Sequence, residues 1–140
     1  MYKLIPHRNG MLLIDEIIEK FDGGIVTKSH VNENWPLFSN GFVDSLVLIE
    51  LVAQTAAAVK GIKDMGENQS NVGLGGFLVG IKTAKLHISK IRKGTFLETC
   101  STIRYEIGHL TEFTGEVKIN GAMAAETEIQ VFRPGDIFSD

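Results

Sequence analysis

Apolar and polar residues alternate along some stretches of the chain and run together along others, and the two patterns predict different elements. Ile25 to Val31 alternates, with Ile25, Thr27, Ser29 and Val31 on one side and Val26, Lys28 and His30 on the other. That period of two predicts a strand, entered from a turn at Gly23-Gly24. Met11 to Glu19 alternates imperfectly and fits a strand or a short helical turn. Asn32 to Gly41 is irregular, rich in Asn, Pro, Ser and Gly. Asp44 or Ser45 then has the chemistry of an N-cap, opening a helix to about Lys63. This helix is apolar nearly all round: Leu46, Val47, Leu48, Ile49, Leu51, Val52, Ala53, Ala56, Ala57, Ala58 and Val59. With so little polar face it must be buried on most sides. Its Ala56-Ala57-Ala58 run implies that another backbone passes close. Met65 to Ser70 reads as a polar loop. Beyond Val72 the pattern predicts strands over 73–82, 84–91, 95–106, 111–120 and 122–133. Gly108-His109 and Asn120-Gly121 stand at two of the breaks, and Asn-Gly is a strong hairpin signal.

A strand, one long buried helix and a run of antiparallel strands define an α+β fold. This order points to the hot-dog arrangement, an antiparallel sheet wrapped around one helix, with a second copy covering the remaining apolar surface. The 140 residues predict a single domain, 1–140. A hydrophobic fraction of 44 % with 22 % charged residues excludes wholesale disorder. The net charge of −3 excludes a basic field for nucleic acid. Cys100 is the only cysteine, so an internal disulfide is impossible and a reducing, cytoplasmic setting is expected. No secretory leader is expected, because Pro6, His7, Arg8 and Asn9 interrupt the opening apolar run. No membrane span is expected either: the stretch Leu46 to Val59 falls short of the ~18 apolar residues required, and it carries Glu50 and Gln54.

Glu50 is the first candidate for chemistry, being the only charged residue between Asp44 and Lys60. A carboxylate among Leu, Ile and Val needs a partner or a purpose. One reading ties it structurally to a neighbouring amide; the other makes it a general acid/base facing a cleft. Gln54 stands one helical turn on, where it can orient Glu50. Gly73, Gly75, Gly76 and Gly80 do not form a dinucleotide or Walker motif, since Leu78 occupies the third glycine position and no Gly-Lys-Ser/Thr occurs. They fit close backbone approach to the helix, or an exposed amide near Gly80 aimed at a substrate carbonyl. His7, His30, His87 and His109 pair with one another or with Cys100 at no metal-ligand spacing, so neither metal nor cofactor is expected. Each histidine reads as structural or solvated, and Cys100 as a small apolar residue. No Ser lies in a Gly-x-Ser-x-Gly elbow. Finally, residues 68–97 contain no acid but hold Lys82, Lys85, Lys90, Arg92 and Lys93. These read as a solvated sheet face or as a docking patch for an acidic partner.

Three segments, in order, resemble the hot-dog 3-hydroxyacyl-(acyl-carrier-protein) dehydratases. Leu4-Ile5-Pro6-His7-Arg8 with Met11-Leu12-Leu13-Ile14-Asp15 is similar to that family's Leu-Pro-His-Arg and Leu-Leu-x-Asp opening. Leu48-Ile49-Glu50-Leu51-Val52-Ala53-Gln54 resembles its Ile-Glu-Ala-x-Ala-Gln helix. Phe77-Leu78-Val79-Gly80-Ile81-Lys82-Thr83-Ala84-Lys85 with Lys93-Gly94-Thr95 resembles its Phe-x-Gly-Ile-x-x-Ala-Arg and Pro-Gly-Asp. Within the family, the Phe-Leu-Val-Gly and Glu-x-x-Ala-Gln-Thr-Ala-Ala runs are closest to the dehydratase-like proteins of aryl-polyene-type lipid gene clusters. The resemblance implies a dimer that eliminates water from a 3-hydroxyacyl thioester of acyl carrier protein. In it a histidine takes the α proton, a helix carboxylate from the other subunit protonates the leaving hydroxyl, and backbone amides hold the thioester oxygen. Glu50 stands at the carboxylate position and Gly80 at the amide position.

The family's histidine belongs to a Gly-His-Phe-Pro run before the helix. Here Glu33 to Phe42 contains no histidine, and the usual Pro-Gly at the helix start is Asp44-Ser45. Asp44, Asn40, a water, His30 or His7 are the internal substitutes, and a His-bearing hot-dog subunit in a heterodimer is the external one. The expectation is therefore a dehydratase-like protein of fatty-acid or polyene-type lipid synthesis, as a homodimer or heterodimer. The alternatives are a hot-dog thioesterase in which Glu50 activates water, and a non-catalytic acyl-binding subunit.

Overall fold

The structure, a computed structural model, describes residues 3–4, 11–67 and 78–132. Among these residues, β1 (Lys3–Leu4), β2 (Glu16–Phe21), β3 (Gly24–His30), β4 (Phe38–Ser39) and β5 (Phe42–Asp44) precede the helix α1 (Val47–Glu67). It is followed by β6 (Leu78–Leu86), β7 (Lys90–Arg92), β8 (Phe96–Ile107), β9 (Leu110–Ile119) and β10 (Ala122–Phe132). Seven strands form one antiparallel sheet in the order β1-β6-β10-β9-β8-β3-β2, and β4-β5-β7 form a small second sheet. The α+β architecture expected from the pattern is present.

The alternation of each strand decides which face meets the helix. Ile25, Thr27 and Ser29 of β3, Leu97, Thr99 and Ser101 of β8, Phe113, Gly115 and Val117 of β9, and Ala125, Thr127 and Ile129 of β10 are all buried. They face α1, where every residue from Leu51 to Ala57 is buried as well. Many of these sheet residues are small hydroxyls, and some bind the helix: Thr27 Oγ1 lies 3.3 Å from Thr55 Oγ1, and Ser101 Oγ donates to Val52 O at 3.4 Å. Small side chains let the alanine-rich helix lie close to the sheet. Gly115 marks a tight point, because a methyl there would overlap Val52 Cγ1 and approach Thr127 Oγ1 to 2.8 Å.

Asn120 and Gly121 both take positive φ, 52° and 82°, the combination a two-residue hairpin requires. The Gly108-His109 turn also falls where expected, between β8 and β9. Other boundaries need correction. The break placed between 82 and 84 is a bulge and not a strand end: β6 pairs with β10 from Leu78 to Leu86, with Lys82 as the extra residue. The true break follows Leu86, where the chain leaves the large sheet so that Ile91 of β7 can pair with Val43 of β5. The stretch read as irregular holds β4, and α1 runs four residues past Lys63, so Met65 is helical. β2 starts only at Glu16; Met11 to Asp15 has no strand structure, although the Asp15 N–H already donates to Lys28 O of β3 at 2.9 Å. Cys100 is half-buried on the face away from the helix, opposite Glu116, rather than packed in the core. Residues 68–77, which include Gly73, Gly75 and Gly76, and His7 lie outside the described residues.

Gly115→Ala is expected to destabilise the fold by about 1–3 kcal/mol, the usual cost of an extra methyl in a filled core. A urea midpoint equal to that of the wild type would show that α1 can shift to make room.

Candidate functional site

The first turns of α1 are built by local capping. Asp44 Oδ1 accepts the Leu46 N–H at 2.9 Å, and the Ser45 carbonyl accepts the Leu48 N–H at 2.9 Å. The Ser45 N–H is held by Ser89 O at 3.0 Å, which ties the helix start to the loop before β7. Glu50 lies in the first turn, where the helix dipole favours a carboxylate, and it is half-buried.

Gln54 is only 2 % exposed and makes three hydrogen bonds through its side-chain amide. Its Oε1 accepts the Leu13 N–H at 2.7 Å. Its Nε2 donates to Met11 O at 2.9 Å and to Glu50 Oε2 at 3.1 Å. The backbone groups settle the orientation of the amide: an N–H must meet oxygen and a C=O must meet N–H, so the flipped amide would lose both. Glu50 Oε2 is thereby an acceptor. The structure thus brings Glu50 and Gln54 together as the spacing suggested, and adds the Met11–Leu13 segment as the third element of the unit.

Leu37, in the loop before the helix, has φ 65°, a left-handed conformation that a bulky side chain adopts only at a cost of order 1–3 kcal/mol. It is held there by its carbonyl, which accepts the Asp44 N–H at 3.2 Å. Leu12, Leu37 and Leu46 are 60 %, 54 % and 54 % exposed. All three belong to segments hydrogen-bonded to the first two turns of α1 or to its entry, so apolar surface surrounds the Glu50 end of the helix.

The described histidines stand elsewhere. His30 points away from the helix: its neighbours Ser29 and Val31 are buried, its ring lies 5.9 Å from that of exposed Phe96, and its Nδ1 is 2.6 Å from Asp15 Oδ2. His87 Nε2 is 2.7 Å from Glu126 Oε2 beyond the end of β6, and His109 is in the β8–β9 turn. The five cations fall on two sheets and a turn, Lys93 following the end of β7. Lys90 and Arg92 of β7 flank the Phe42 ring, at 4.5 Å and 5.5 Å from its centroid. Lys93 is paired with Glu33 at 2.7 Å and holds that carboxyl below its usual pKa. Lys82 and Lys85 lie on β6, Lys82 being 3.5 Å from Glu112. Gly80 is buried in β6, in register with Lys3 of β1 and Gln130 of β10.

Glu112 was not singled out by the sequence pattern. It is fully buried although it lies on the face of β9 away from the helix. Its Oε1 accepts from Tyr105 Oη at 2.8 Å and Gln130 Nε2 at 3.3 Å, and Arg104 Nη1 lies 3.3 Å from Oε2. The Tyr105 hydroxyl holds the carboxyl below the usual carboxylate range, with help from Gln130, Lys82 and Arg104 and against the effect of burial. The alternation of β9 marks Glu112 as an outward polar position. Its burial comes from long side chains of neighbouring strands, which no local pattern reveals.

Comparison with known proteins agrees with this geometry. The family model described as ApeP-like, ApeP dehydratase, matches residues 1–139. A 3-hydroxyacyl-(acyl-carrier-protein) dehydratase FabZ of Agrobacterium fabrum is 33 % identical over 137 residues, covering 91 % of this chain and 82 % of that protein. The FabZ of Oceanobacillus iheyensis is 28 % identical, with 91 % of each chain covered. Among solved structures, "The Dehydratase Heterocomplex ApeI:P from Xenorhabdus doucetiae" matches with a TM-score of 0.75 at 16 % identity, covering 95 % of this chain and 91 % of that chain. A hypothetical thioesterase with coenzyme A from Streptococcus pneumoniae matches with a TM-score of 0.59 at 14 % identity, covering 84 % and 83 %, a likeness of fold alone. The chain belongs to the ApeP-like dehydratase family, a dehydratase-like group with the hot-dog fold.

Gln54→Leu is expected to destabilise the protein by about 1–3 kcal/mol for each backbone group left unpaired at Met11 and Leu13. Thermal unfolding together with amide exchange at Leu13 measures this. A protected Leu13 amide in the variant would show that Gln54 is not the clamp.

Proposed function

We propose that this protein is the Glu-bearing subunit of a two-subunit dehydratase acting on 3-hydroxyacyl thioesters of acyl carrier protein in fatty-acid or polyene-type lipid synthesis. The observation that carries the reading is the Glu50–Gln54 unit. It presents a helix carboxylate at the family's position, while the described histidines lie on the far face of the sheet or at its turns. The ApeI:P structure, titled as a heterocomplex, supports a partner of the same fold. Residues 1–140 act as one hot-dog domain in the cytoplasm. No described helix is long and apolar enough to cross a membrane.

Dehydration needs a base at the α carbon and an acid at the 3-hydroxyl. In this reading the histidine of the partner subunit removes the α proton. Glu50 gives its proton to the leaving hydroxyl, water departs, and the enoyl thioester stays on the carrier. Gln54 keeps Glu50 Oε2 as an acceptor, so the transferable proton sits on the other oxygen. Gly80, on β6, supplies the amide that holds the thioester oxygen. The partner covers Leu12, Leu37 and Leu46 around the site, and the exposed run Lys82–Lys85 of β6 provides an edge for its sheet. Asp44 has a supporting role, because its carboxylate caps the helix that carries Glu50. Lys90 and Arg92 receive the acidic carrier protein, with Lys85 and Lys93 as further contacts, whereas Lys82 is turned toward Glu112. The small sheet that holds Lys90 and Arg92 leads through β5 directly into α1.

The test is mass spectrometry of a 3-hydroxyacyl carrier protein after incubation. The isolated protein is expected to be slower by on the order of 10²–10⁴-fold than its mixture with a His-bearing hot-dog partner. Glu50→Gln should cancel the gain while leaving the thermal midpoint nearly unchanged. Full turnover by a homodimer refutes the two-subunit reading, and release of free carrier thiol identifies hydrolysis instead.

Reversing Lys90 and Arg92 to Glu is expected to raise KM severalfold for carrier-bound substrate and to leave a pantetheine thioester unaffected, since rim charges act chiefly on encounter. Equal losses on both substrates would exclude a docking role.

A further inference from the structure

Two bulges on separate strands aim at one buried carboxylate. In β8, Arg104 is the extra residue between the pairs Ile103↔Phe113 and Tyr105↔Glu112. In β6, Lys82 is the extra residue between Thr83↔Glu128 and Ile81↔Ile129. Both bulged side chains come close to Glu112, Lys82 at 3.5 Å and Arg104 at 3.3 Å, although Arg104 gives its hydrogen bond to Glu128 Oε2 at 2.7 Å. Gln130, also bonded to Glu112, is the residue in register with Gly80. Glu112 therefore joins β8, β10 and β6 from behind the sheet: its contact with β10 is made at Gln130, in register with Gly80, and its one contact with β6 is at Lys82, two residues beyond Gly80. A bulge bends its strand and re-aims side chains. From Lys82 to Lys85 the side chains of β6 are exposed, while its backbone is paired with β10 from Thr83 onward and leaves Lys82 itself without a register partner. A fully buried carboxylate is costly; two neutral hydrogen bonds on Oε1, from Tyr105 and Gln130, and the charges of Arg104 and Lys82 offset that cost, while Oε2 has no hydrogen bond of its own.

We propose that Glu112 is a positioning residue, which anchors the Lys82 bulge from the back of the sheet and so sets the course of β6 through Gly80. The consequence for turnover rests on the function proposed above; the consequence for β6 does not.

The experiment combines amide exchange on the purified protein with kinetics of its reconstituted complex with a His-bearing partner. Lys82→Met removes the anchor at the bulge and leaves Glu112 held by Tyr105, Gln130 and Arg104; Glu112→Gln, where it folds, removes the charge from the same position. In Lys82→Met the amides of 79–82 are expected to exchange about tenfold faster or more, with the β8–β9 hairpin protected as in the wild type. The complex should lose about tenfold in kcat at unchanged KM, because a misplaced backbone donor acts on the reacting geometry rather than on binding. Lys82→Arg should restore both readouts, which simple loss of packing would not produce. Unchanged exchange at 79–82 overturns the proposal, and so does faster exchange throughout the sheet. A raised KM at unchanged kcat assigns Lys82 to carrier docking and overturns it as well. A wild-type complex without dehydratase turnover would defeat the two-subunit reading, and the exchange result would still decide the role of Glu112.

Discussion

The side-chain amide of Gln54 joins the N-terminal segment, the helix and Glu50 into one hydrogen-bonded unit. Met11 to Asp15 has no strand partner over its first residues, so its backbone groups at Met11 and Leu13 depend on this amide. Leu13 is 1 % exposed, and its N–H has no access to water as a substitute. The same amide restrains Glu50 from the next turn of the helix. One buried polar residue therefore connects stability to chemistry: weakening the clamp loosens the segment and the carboxylate together.

The buried helix imposes a second constraint. An element covered on most sides brings its neighbours close, and the sheet meets it with Thr27, Ser29, Thr99, Ser101 and Thr127 instead of a layer of large apolar groups. These residues are small enough for the alanine-rich surface of α1, and several satisfy their hydroxyls on nearby backbone, as Thr55 does on Leu51 O at 2.9 Å. Bulk is supplied at selected points by Leu97, Phe113 and Ile129. Close packing fixes the helix against the sheet, and with it the position of Glu50 at one end.

Much of this was legible in the sequence because the underlying rule is local. The alternation from Ile25 to Val31 put Thr27 and Ser29 on the inner face, Asn120-Gly121 gave its turn, and the spacing of Glu50 and Gln54 placed them on adjacent turns. What escaped was set by contacts distant in sequence. The break sought near residue 83 lies after Leu86 because the small sheet draws β7 away, and β4 exists only by pairing with β5. The five cations looked like one cluster along the chain, yet they are spread over two sheets and the turn after β7, and Lys82 and Lys93 are already paired with acids. Glu112 is the sharpest case, since its position in β9 reads as solvent-facing and its burial depends on side chains from β8, β6 and β10.

The loop that bears a histidine in the resembling enzymes has other work here. Trp35 is buried, Leu37 holds a left-handed turn that fixes the Asp44 N–H, and Asp44 caps the helix through Leu46. His30 lies on the outer face of β3, beside Asp15 and Phe96. Glu50 is thus held in place by a capped helix start, the helix dipole and a buried amide, whereas the loop before the helix is occupied by structural contacts of its own. In the two-subunit reading proposed above, a carboxylate ordered in this way, with exposed leucines on the segments bonded to the same helix end, forms one side of a shared site.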